Sequence, residues 1–389
     1  AELGGTSSHP QRLFIDVSVI VRDDARTGIQ RVVRALLMQL LMQPPEGFEV
    51  RAVYASKYKG YRYAPSLPGM ASSAEEFGGE KVCVSDGDVF LGLDLSAHLI
   101  PRHSGQLARW KRQGVKLVFV VYDLLPLLQP QWFNERTQHN FRRWIRAMAM
   151  LADGAICISE NVKFELQEWL TQRCGLATGA ISLHHIHLGG DLHATAPTQG
   201  LQEGFGAWLE GLKRRPTILM VGTVEPRKGH AQALAAFDLL WRRGFELNLV
   251  IAGKPGWKVD DLLSALHAHP QSGDHLHFLE HPSDEELDAL YRMTDGVLMA
   301  SEAEGFGLPL VEAASYGKPV LARDIPVFRE VGADLAHYFS GRDPASLAAA
   351  LTQWLSDCRN CETRLPIPWL TWKESADQLA QCVLATTRD

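Results

Sequence analysis

The chain has little of what marks a membrane, disulfide-bonded or nucleic-acid-binding protein. Of its six cysteines, only Cys358 and Cys361 form a C-x-x-C pair, with no second pair to complete a zinc site. No apolar run approaches the ~20 residues that span a bilayer, and residues 1–10 lack the apolar core of a signal peptide. The net charge of −6 excludes a generally basic nucleic-acid binder. We therefore expect a cytoplasmic protein with free thiols, peripheral at most to the inner face of a membrane.

What is present is the composition of a folded α/β protein. Hydrophobic residues make up 46% of the chain and charged residues 22%, and 389 residues are too many for one compact core. Short apolar runs alternate with amphipathic helical segments, which is typical of parallel sheets covered by helices. The sequence thus predicts two Rossmann-like, doubly wound domains that face a cleft.

The domain bounds follow from a break at 191–206, which is rich in Thr, Ala, Pro, Gly and Gln. We expect one domain over 11–195, a second over 207–370, and a C-terminal helix over 371–389 that crosses back to the first. Strands are predicted in the first half at Leu13–Val21, Val89–Leu93, Lys116–Tyr122, Gly154–Ser159 and Ile181–Leu188, and in the second at Thr217–Gly222, Leu247–Ala252, His275–Leu279, Gly296–Ala300 and Pro319–Ala322.

One loop after a second-half strand carries adjacent cations. It runs from Gly222 through Arg227, Lys228 and Gly229 and leads into a helix. Two cations beside a glycine at a strand–helix junction can hold a phosphate through charge and backbone amides. A solvated helix start with a chance Arg-Lys pair is an equally open interpretation.

A second loop, over 301–309, is rich in glycine and precedes a helix that carries Glu312. Gly305 and Gly307 allow backbone amides to approach a ligand closely. Helical side chains lean towards the N-terminus, which would bring the Glu312 carboxylate to the same space. For an isolated glutamate, a dipole-stabilising acid at a helix start is the favoured alternative. A third loop, 252–257, is best read as an ordinary turn, although Lys254 or Trp257 could line a cleft.

Several segments together resemble the retaining glycosyltransferases of family 4, which share the GT-B fold. VGTVEPRKG, LVIAGKPGW, SDEELDALYRMTD and SEAEGFGLPLVEAASYGKPVLA follow the family's order. Glu304 and Glu312, with seven residues between, match its E-x7-E element. The resemblance is strong over 217–339. It is weaker in the first half, where RTGIQRVVR, VVYDLLP, CISENVK and HLGGD resemble the family's glycine loop, acidic motif and linker approach. The first half also resembles bacterial polysaccharide-assembly mannosyltransferases.

The resemblance implies a metal-independent hexosyltransferase that uses no cofactor. In this reading Arg227 and Lys228 hold the donor diphosphate, Glu304 faces the donor sugar, and Glu312 binds the ribose hydroxyls. Asp123 would be the acceptor-side catalytic contact, although Tyr122 stands where many members have His. The remaining donor-binding positions are Gly28, Thr223, Gly305, Phe306, Gly307 and Leu308. Thr223 stands where many members place a cleft arginine, so Arg227 must supply that charge.

The implied partners are a nucleotide-sugar donor on the second domain and a glycan or glycolipid acceptor on the first. The likeness favours GDP-mannose and a lipid-linked acceptor in cell-surface polysaccharide synthesis. A UDP-sugar donor and a non-catalytic nucleotide-sugar-binding protein remain open. Arg142, Arg143 and Arg146 on a predicted helix over 141–151 could meet a membrane, but a core-facing amphipathic helix is favoured.

Two other enzyme classes are disfavoured. A glycoside hydrolase needs a carboxylate pair, for which Glu304 and Glu312 could be mistaken, but it needs no cations or glycine loops. A metal-dependent transferase could use Asp86-Gly87-Asp88, which reads better as a turn before a strand. The histidines at 184, 185 and 187 do not complete a metal site, because only two share a strand face.

Overall fold

The computed structural model describes residues 10–22, 27–64, 79–192, 200–360 and 367–388. The chain divides into two compact units. The first contains Ala1–Pro130, Asn134–His187 and Trp372–Asp389, and the second contains Gln131–Phe133 and Leu188–Thr371.

The division falls after His187, upstream of the predicted break. Gly190 explains why the following residues belong to the second unit. Its backbone N–H donates to Leu370 O at 2.8 Å, and its carbonyl accepts from Ser315 Oγ at 3.2 Å. The predicted linker lies partly outside the described residues, at 193–199.

The third loop singled out in the sequence, 252–257, contributes contacts within the second unit. The Trp257 indole N–H donates to Trp132 O at 2.6 Å, and Lys258 Nζ donates to Gln131 O at 2.8 Å. The Phe133 and Trp257 rings lie 5.8 Å apart. These contacts account for the assignment of Gln131–Phe133 to this unit.

The first unit is built on a seven-stranded sheet in the order β3-β2-β1-β4-β5-β6-β7. All neighbouring strands are parallel except the β2–β3 pair. The strands are β1 Gln11–Asp16, β2 Phe48–Tyr54, β3 Arg62–Tyr63, β4 Val89–Gly92, β5 Lys116–Val121, β6 Gly154–Cys157 and β7 Ser182–His185. The helices are α1 Gly28–Met42, α2 Ser104–Arg112, α3 Leu125–Leu128, α4 Glu135–Leu151 and α5 Glu160–Cys174.

The second unit has a six-stranded parallel sheet in the order β10-β9-β8-β11-β12-β13. Its helices are α6 Phe205–Leu212, α7 His230–Arg242, α8 Asp260–His267, α9 Asp284–Met293, α10 Leu308–Ser315, α11 Pro326–Gly332 and α12 Pro344–Asn360. Its strands are β8 Thr217–Val221, β9 Asn248–Ala252, β10 Leu276–Leu279, β11 Gly296–Met299, β12 Val320–Arg323 and β13 His337–Phe339.

The predicted α/β class is confirmed, and the sheet order locates a ligand site. The chain runs outward from β8 in one direction through β9 and β10, then crosses to β11 on the other side. Doubly wound sheets bind ligands beyond the carboxyl ends of the strands at such a reversal. The loops after β8 and β11 are therefore the places to seek function.

The C-terminal helix α13 (Trp372–Arg388) belongs to the first unit. Its buried face includes Trp372, Leu379 and Val383. Ser375 Oγ donates to His187 O at 2.7 Å, which fixes the helix beside the end of the first unit's main segment.

Helix α4 agrees with the core-facing interpretation. Its apolar residues, including Trp144 and Ile145, are buried in the first unit's core, while Arg142, Arg143 and Arg146 are exposed. Among the described residues, no helix combines the length and apolar character needed to cross a bilayer.

The first predicted strand was too long. β1 ends at Asp16, because the next residues turn to donate to a carboxylate: Asp94 Oδ2 accepts from the backbone N–H of Val19 at 2.7 Å and of Ile20 at 2.9 Å. The apolar run that continues to Val21 hid this turn. Asp88 lies in the turn before β4, and its Oδ2 accepts a hydrogen bond from Arg12 Nη2 at 2.7 Å.

Candidate functional site

A cluster of charged side chains lies at the carboxyl ends of β8 and β11. Arg227 and Lys228 belong to a short 3-10 turn, Pro226–Lys228, and Glu304 lies in the loop after β11. Arg227 Nη1 donates to Glu304 Oε2 at 2.7 Å, and Lys228 Nζ donates to Glu304 Oε1 at 2.5 Å. One carboxylate thus bridges both cations, and three predicted site residues meet.

Backbone contacts hold these two loops together. Glu302 N donates to Arg227 O at 2.7 Å, and Arg227 Nη1 donates to Ala303 O at 3.0 Å. Arg227 is also bound by Glu225, with Nε 3.0 Å from Oε2. Sequence reasoning missed Glu225, which the motif offers only as an unexplained acid two residues before Arg227.

The cluster is buried and electrically balanced. The Glu304 side chain is 7% exposed and those of Arg227 and Lys228 are each 14% exposed. Burial alone would raise the pKa of Glu304, but the charges of Arg227 and Lys228 outweigh it and lower the pKa to about 2. Glu304 is therefore ionised at neutral pH and is unsuited to be the general acid of a glycoside hydrolase.

The glycine loop leads from this cluster into α10. Gly307 precedes the helix with φ +104°, and a Cβ there would lie 2.7 Å from the Phe328 ring, so no other residue fits without movement. Gly305 and Phe306 are buried, and Leu308, the first helical residue, is partly exposed.

Glu312 lies one turn into α10 and is 2% exposed. The interpretation of Glu312 as a dipole-stabilising acid in the first turn is wrong: Glu312 is the fifth helical residue, and the dipole effect fades within the first turn. Its Oε2 accepts from the Tyr291 hydroxyl at 2.7 Å. A buried carboxylate held by a buried hydroxyl needs another explanation than helix capping.

Thr223 lies in the loop after β8, partly exposed. The loop is joined to the exit of β9, since Gly222 N donates to Ala252 O at 3.0 Å and Val224 N to Lys254 O at 2.9 Å. Thr223 therefore sits on a fixed backbone beside the Arg227 turn.

His230, at the start of α7, was not foreseen. It is 2% exposed and lines a small pocket with Lys228 and Ser301. Burial, assisted by the Lys228 charge, lowers its pKa to about 3, so the imidazole is neutral. Within the described part of the chain its Nδ1 has no hydrogen-bond partner. Only its place after Lys228-Gly229 could have signalled it.

Gly28 and Asp123 lie in the first unit. Gly28 begins α1, and Thr27 before it forms a capping box with Gln30. Asp123 follows β5, and its Oδ1 accepts from Leu125 N at 2.9 Å. Burial raises the pKa of Glu165, the hydrogen bond from Asn161 opposes the rise, and the Asp123 charge adds to it.

A buried acidic pair in the first unit was not predicted from the sequence. Asp16 is fully buried and Asp94 is 4% exposed. Asp16 Oδ2 accepts from the Tyr61 hydroxyl at 3.0 Å, and its Oδ1 accepts from Ser18. Burial raises the pKa of Asp16 to about 6. Burial, with the Asp16 charge second, raises the pKa of Asp94 to about 7.

This pair predicts how stability depends on pH. A carboxyl group with a raised folded-state pKa stabilises the fold fully below its unfolded pKa and progressively less as pH rises through the folded value. Asp94→Asn keeps an acceptor for Val19 and Ile20 but removes this titration. We expect the variant to gain on the order of 2 kcal/mol relative to wild type between pH 5 and pH 8.

Thermal midpoints of both proteins across that range measure the difference. Groups outside the Asp16–Asp94 pair cancel in the comparison, including His230, which titrates in that range only in the unfolded chain. Asp86→Asn, at an exposed aspartate of the same unit, is the control and should follow wild type. A constant offset between Asp94→Asn and wild type would contradict the prediction.

Comparison with known proteins places this site in a family. Residues 210–364, which include Arg227, Glu304 and Glu312, match the family model described as glycosyl transferases group 1. The chain is 42% identical over 375 residues to the serotype-specific mannosyltransferase WbdA of Escherichia coli, covering 95% of this chain and 46% of WbdA. The chain thus spans about half the length of the curated relatives it matches.

Solved structures share the whole fold at low identity. HepE of Anabaena, in complex with UDP and glucose, superposes with a TM-score of 0.60 at 16% identity over 98% of both chains. The catalytic domain of starch synthase IV from Arabidopsis thaliana, bound to ADP and acarbose, gives 0.65 at 14% identity over 98% of this chain and 100% of that one. The chain therefore has the GT-B fold and, over residues 210–364, carries a group 1 glycosyltransferase domain.

Proposed function

We propose that this chain is a retaining mannosyltransferase that uses GDP-mannose to extend a glycan, lipid-linked in the cell, during cell-surface polysaccharide synthesis. The observation that carries the proposal is the cluster of Arg227, Lys228 and Glu304 at the sheet's reversal point. The 42% identity to a mannosyltransferase over 95% of the chain supports the choice of sugar.

The charges suit a diphosphate leaving group. Breaking a sugar–phosphate bond leaves extra negative charge on the diphosphate, and preorganised cations lower that barrier. In the proposal, Lys228 and Arg227 turn from Glu304 towards this charge, so the incoming diphosphate competes with Glu304 for both cations. The backbone contact between the two loops holds the turn that carries both cations, so only their side chains have to turn when the donor arrives.

The donor's other groups have proposed partners in the same unit. Glu304 faces the sugar, Glu312 receives the ribose hydroxyls, and the backbone of 305–308 contacts sugar and phosphate. Thr223 lies beside the cation turn. Because Glu304 is ionised and paired with two cations, we assign it no proton-donor role.

Transfer proceeds, in this proposal, on the face of the sugar that the diphosphate leaves. The departing phosphate oxygen takes the proton of the acceptor hydroxyl, and the new glycosidic bond retains the anomeric configuration. Gly28 is assigned to donor binding and Asp123 to the acceptor-side contact. The exposed arginines of α4 would suit an anionic surface carrying a lipid-linked acceptor.

A transfer assay with and without chelator tests the function. GDP-mannose, UDP-glucose and UDP-N-acetylglucosamine are offered with a mannose-terminated oligosaccharide, in EDTA or in Mg²⁺. We expect mannosyl transfer from GDP-mannose at equal rates in both buffers, with an α-linked product identified by NMR.

The other results are each informative. Transfer from a UDP-sugar, and none from GDP-mannose, would show that the donor is a UDP-sugar. Loss of activity in EDTA would contradict metal independence. Sugar release from the oligosaccharide without nucleotide would indicate a hydrolase. Tight GDP-mannose binding without transfer to any acceptor offered would favour a nucleotide-sugar-binding protein.

A further inference from the structure

The hydroxyl group of Tyr291 is aimed at Glu312 from a different helix. Tyr291 lies in α9, before β11, and Glu312 lies in α10, after it. The Tyr291 Oη–Glu312 Oε2 distance is 2.7 Å. Hydrogen bonds to a carboxylate are stronger than those between neutral groups, so this contact limits how the Glu312 carboxylate can turn.

The Tyr291 ring is itself held in place. It is fully buried and stacks on Tyr316 with ring centroids 5.4 Å apart and planes 9° apart. Tyr316 Oη donates to Asp288 Oδ1 at 2.5 Å, and Arg292 Nε donates to Asp288 Oδ2 at 2.8 Å. The hydroxyl that meets Glu312 therefore sits on a rigid support.

We propose that Tyr291 is a positioning residue for the donor: its hydroxyl orients the Glu312 carboxylate to accept hydrogen bonds from the donor ribose. The inference rests on the proposed function, in which Glu312 binds those hydroxyls. An ionised carboxylate offers about four acceptor sites, so the bond from Tyr291 is compatible with further bonds to a sugar. Orientation matters because hydrogen bonds weaken steeply away from linearity.

The structure offers a matched pair of variants. Tyr291→Phe removes the hydroxyl that contacts Glu312 and keeps the stacked ring. Tyr316→Phe removes a hydroxyl from the other member of the same stack, where it contacts Asp288. Both changes delete one oxygen, so a general loosening of the stack would affect both alike.

The test compares nucleotides with and without ribose hydroxyls. Calorimetry measures the Kd of GDP and of 2′,3′-dideoxy-GDP for the full chain, with UDP, ADP and their dideoxy forms as further probes. For wild type we expect the dideoxy form to bind at least tenfold more weakly. Tyr291→Phe should weaken GDP about tenfold and change dideoxy-GDP less than twofold. Tyr316→Phe should match wild type for both.

Steady-state transfer adds a second readout. A positioning role in donor binding raises the KM for the donor about tenfold with kcat within threefold of wild type. Equal weakening of GDP and dideoxy-GDP by Tyr291→Phe would mean a purely structural role and would overturn the inference, as would no weakening of either.

Failure of the function is distinguishable from failure of the inference. If wild type binds none of the three nucleoside diphosphates, the proposed function falls and this inference falls with it. If wild type binds one of them but does not distinguish it from its dideoxy form, the inference and the assignment of Glu312 to the ribose hydroxyls are overturned, while the proposed sugar transfer is not.

Discussion

Lys228→Ala is expected to slow sugar transfer about 10²–10³-fold at saturating nucleotide sugar. One preorganised group that stabilises the negative charge of a leaving group contributes about that much to the rate. Lys228 suits the experiment better than Arg227. In the variant, Glu304 keeps its 2.7 Å bond to Arg227, so the buried carboxylate stays paired and the fold should survive. Removing Arg227 would also release Glu225 and Ala303 O.

The measurement is kcat and donor KM for transfer, with thermal midpoints to confirm folding. Lys213→Ala is the matched control, because Lys213 pairs with Glu210 at 2.6 Å on the surface of the same unit and should leave kcat unchanged. If kcat of Lys228→Ala is within fivefold of the wild-type value and KM is unchanged, Lys228 has no role in transfer. A rise in KM with unchanged kcat would make its role ground-state binding alone.

Gly229→Ala should damage both stability and activity. Gly229 has φ +75°, and a Cβ there would lie 2.3 Å from the carbonyl oxygen of Ala300. The left-handed conformation costs an alanine about 1–2 kcal/mol, and a backbone clash adds about 1–3 kcal/mol. We expect a loss of roughly 3 kcal/mol, or about 6–12 °C in the second unit's thermal midpoint. Transfer should fall about 100-fold if Lys228 moves by ~1 Å.

Gly244 separates the two causes. It has φ +80° with no atom within 4 Å of a built Cβ, so Gly244→Ala carries the backbone strain without the clash. It should cost about 1 kcal/mol and leave transfer unaffected. Equal losses from the two variants, read by differential scanning calorimetry, would show that the contact with Ala300 does not matter.

The sequence could predict those parts of the site whose functional residues lie close together in one loop. Arg227, Lys228 and Glu304 were predicted to meet because loops after parallel strands share one edge of a sheet, and their distances confirm the meeting. The roles of these residues towards a donor stay predictions. Glu312 was predicted to lie near the glycine loop, but not to be buried against a tyrosine.

The groups that hold the site could not be predicted, because their partners are distant in sequence. Tyr291 and Glu312 are 21 residues apart, and Asp94 is 75 residues from the turn at Val19. No local sequence pattern around Tyr291 or Asp94 indicates which residue each one binds. Burial also decides the charge states of Asp94, His230 and Glu304, and burial is a property of the packed chain.

By itself, the sequence determined the fold class and the order of the functional loops, because apolar periodicity and glycine placement act over a few residues. Only the tertiary structure decided where β1 ends, where the chain divides, and which side chains orient the carboxylates. Those outcomes depend on hydrogen bonds between segments that come together only when the sheet of their own unit has formed.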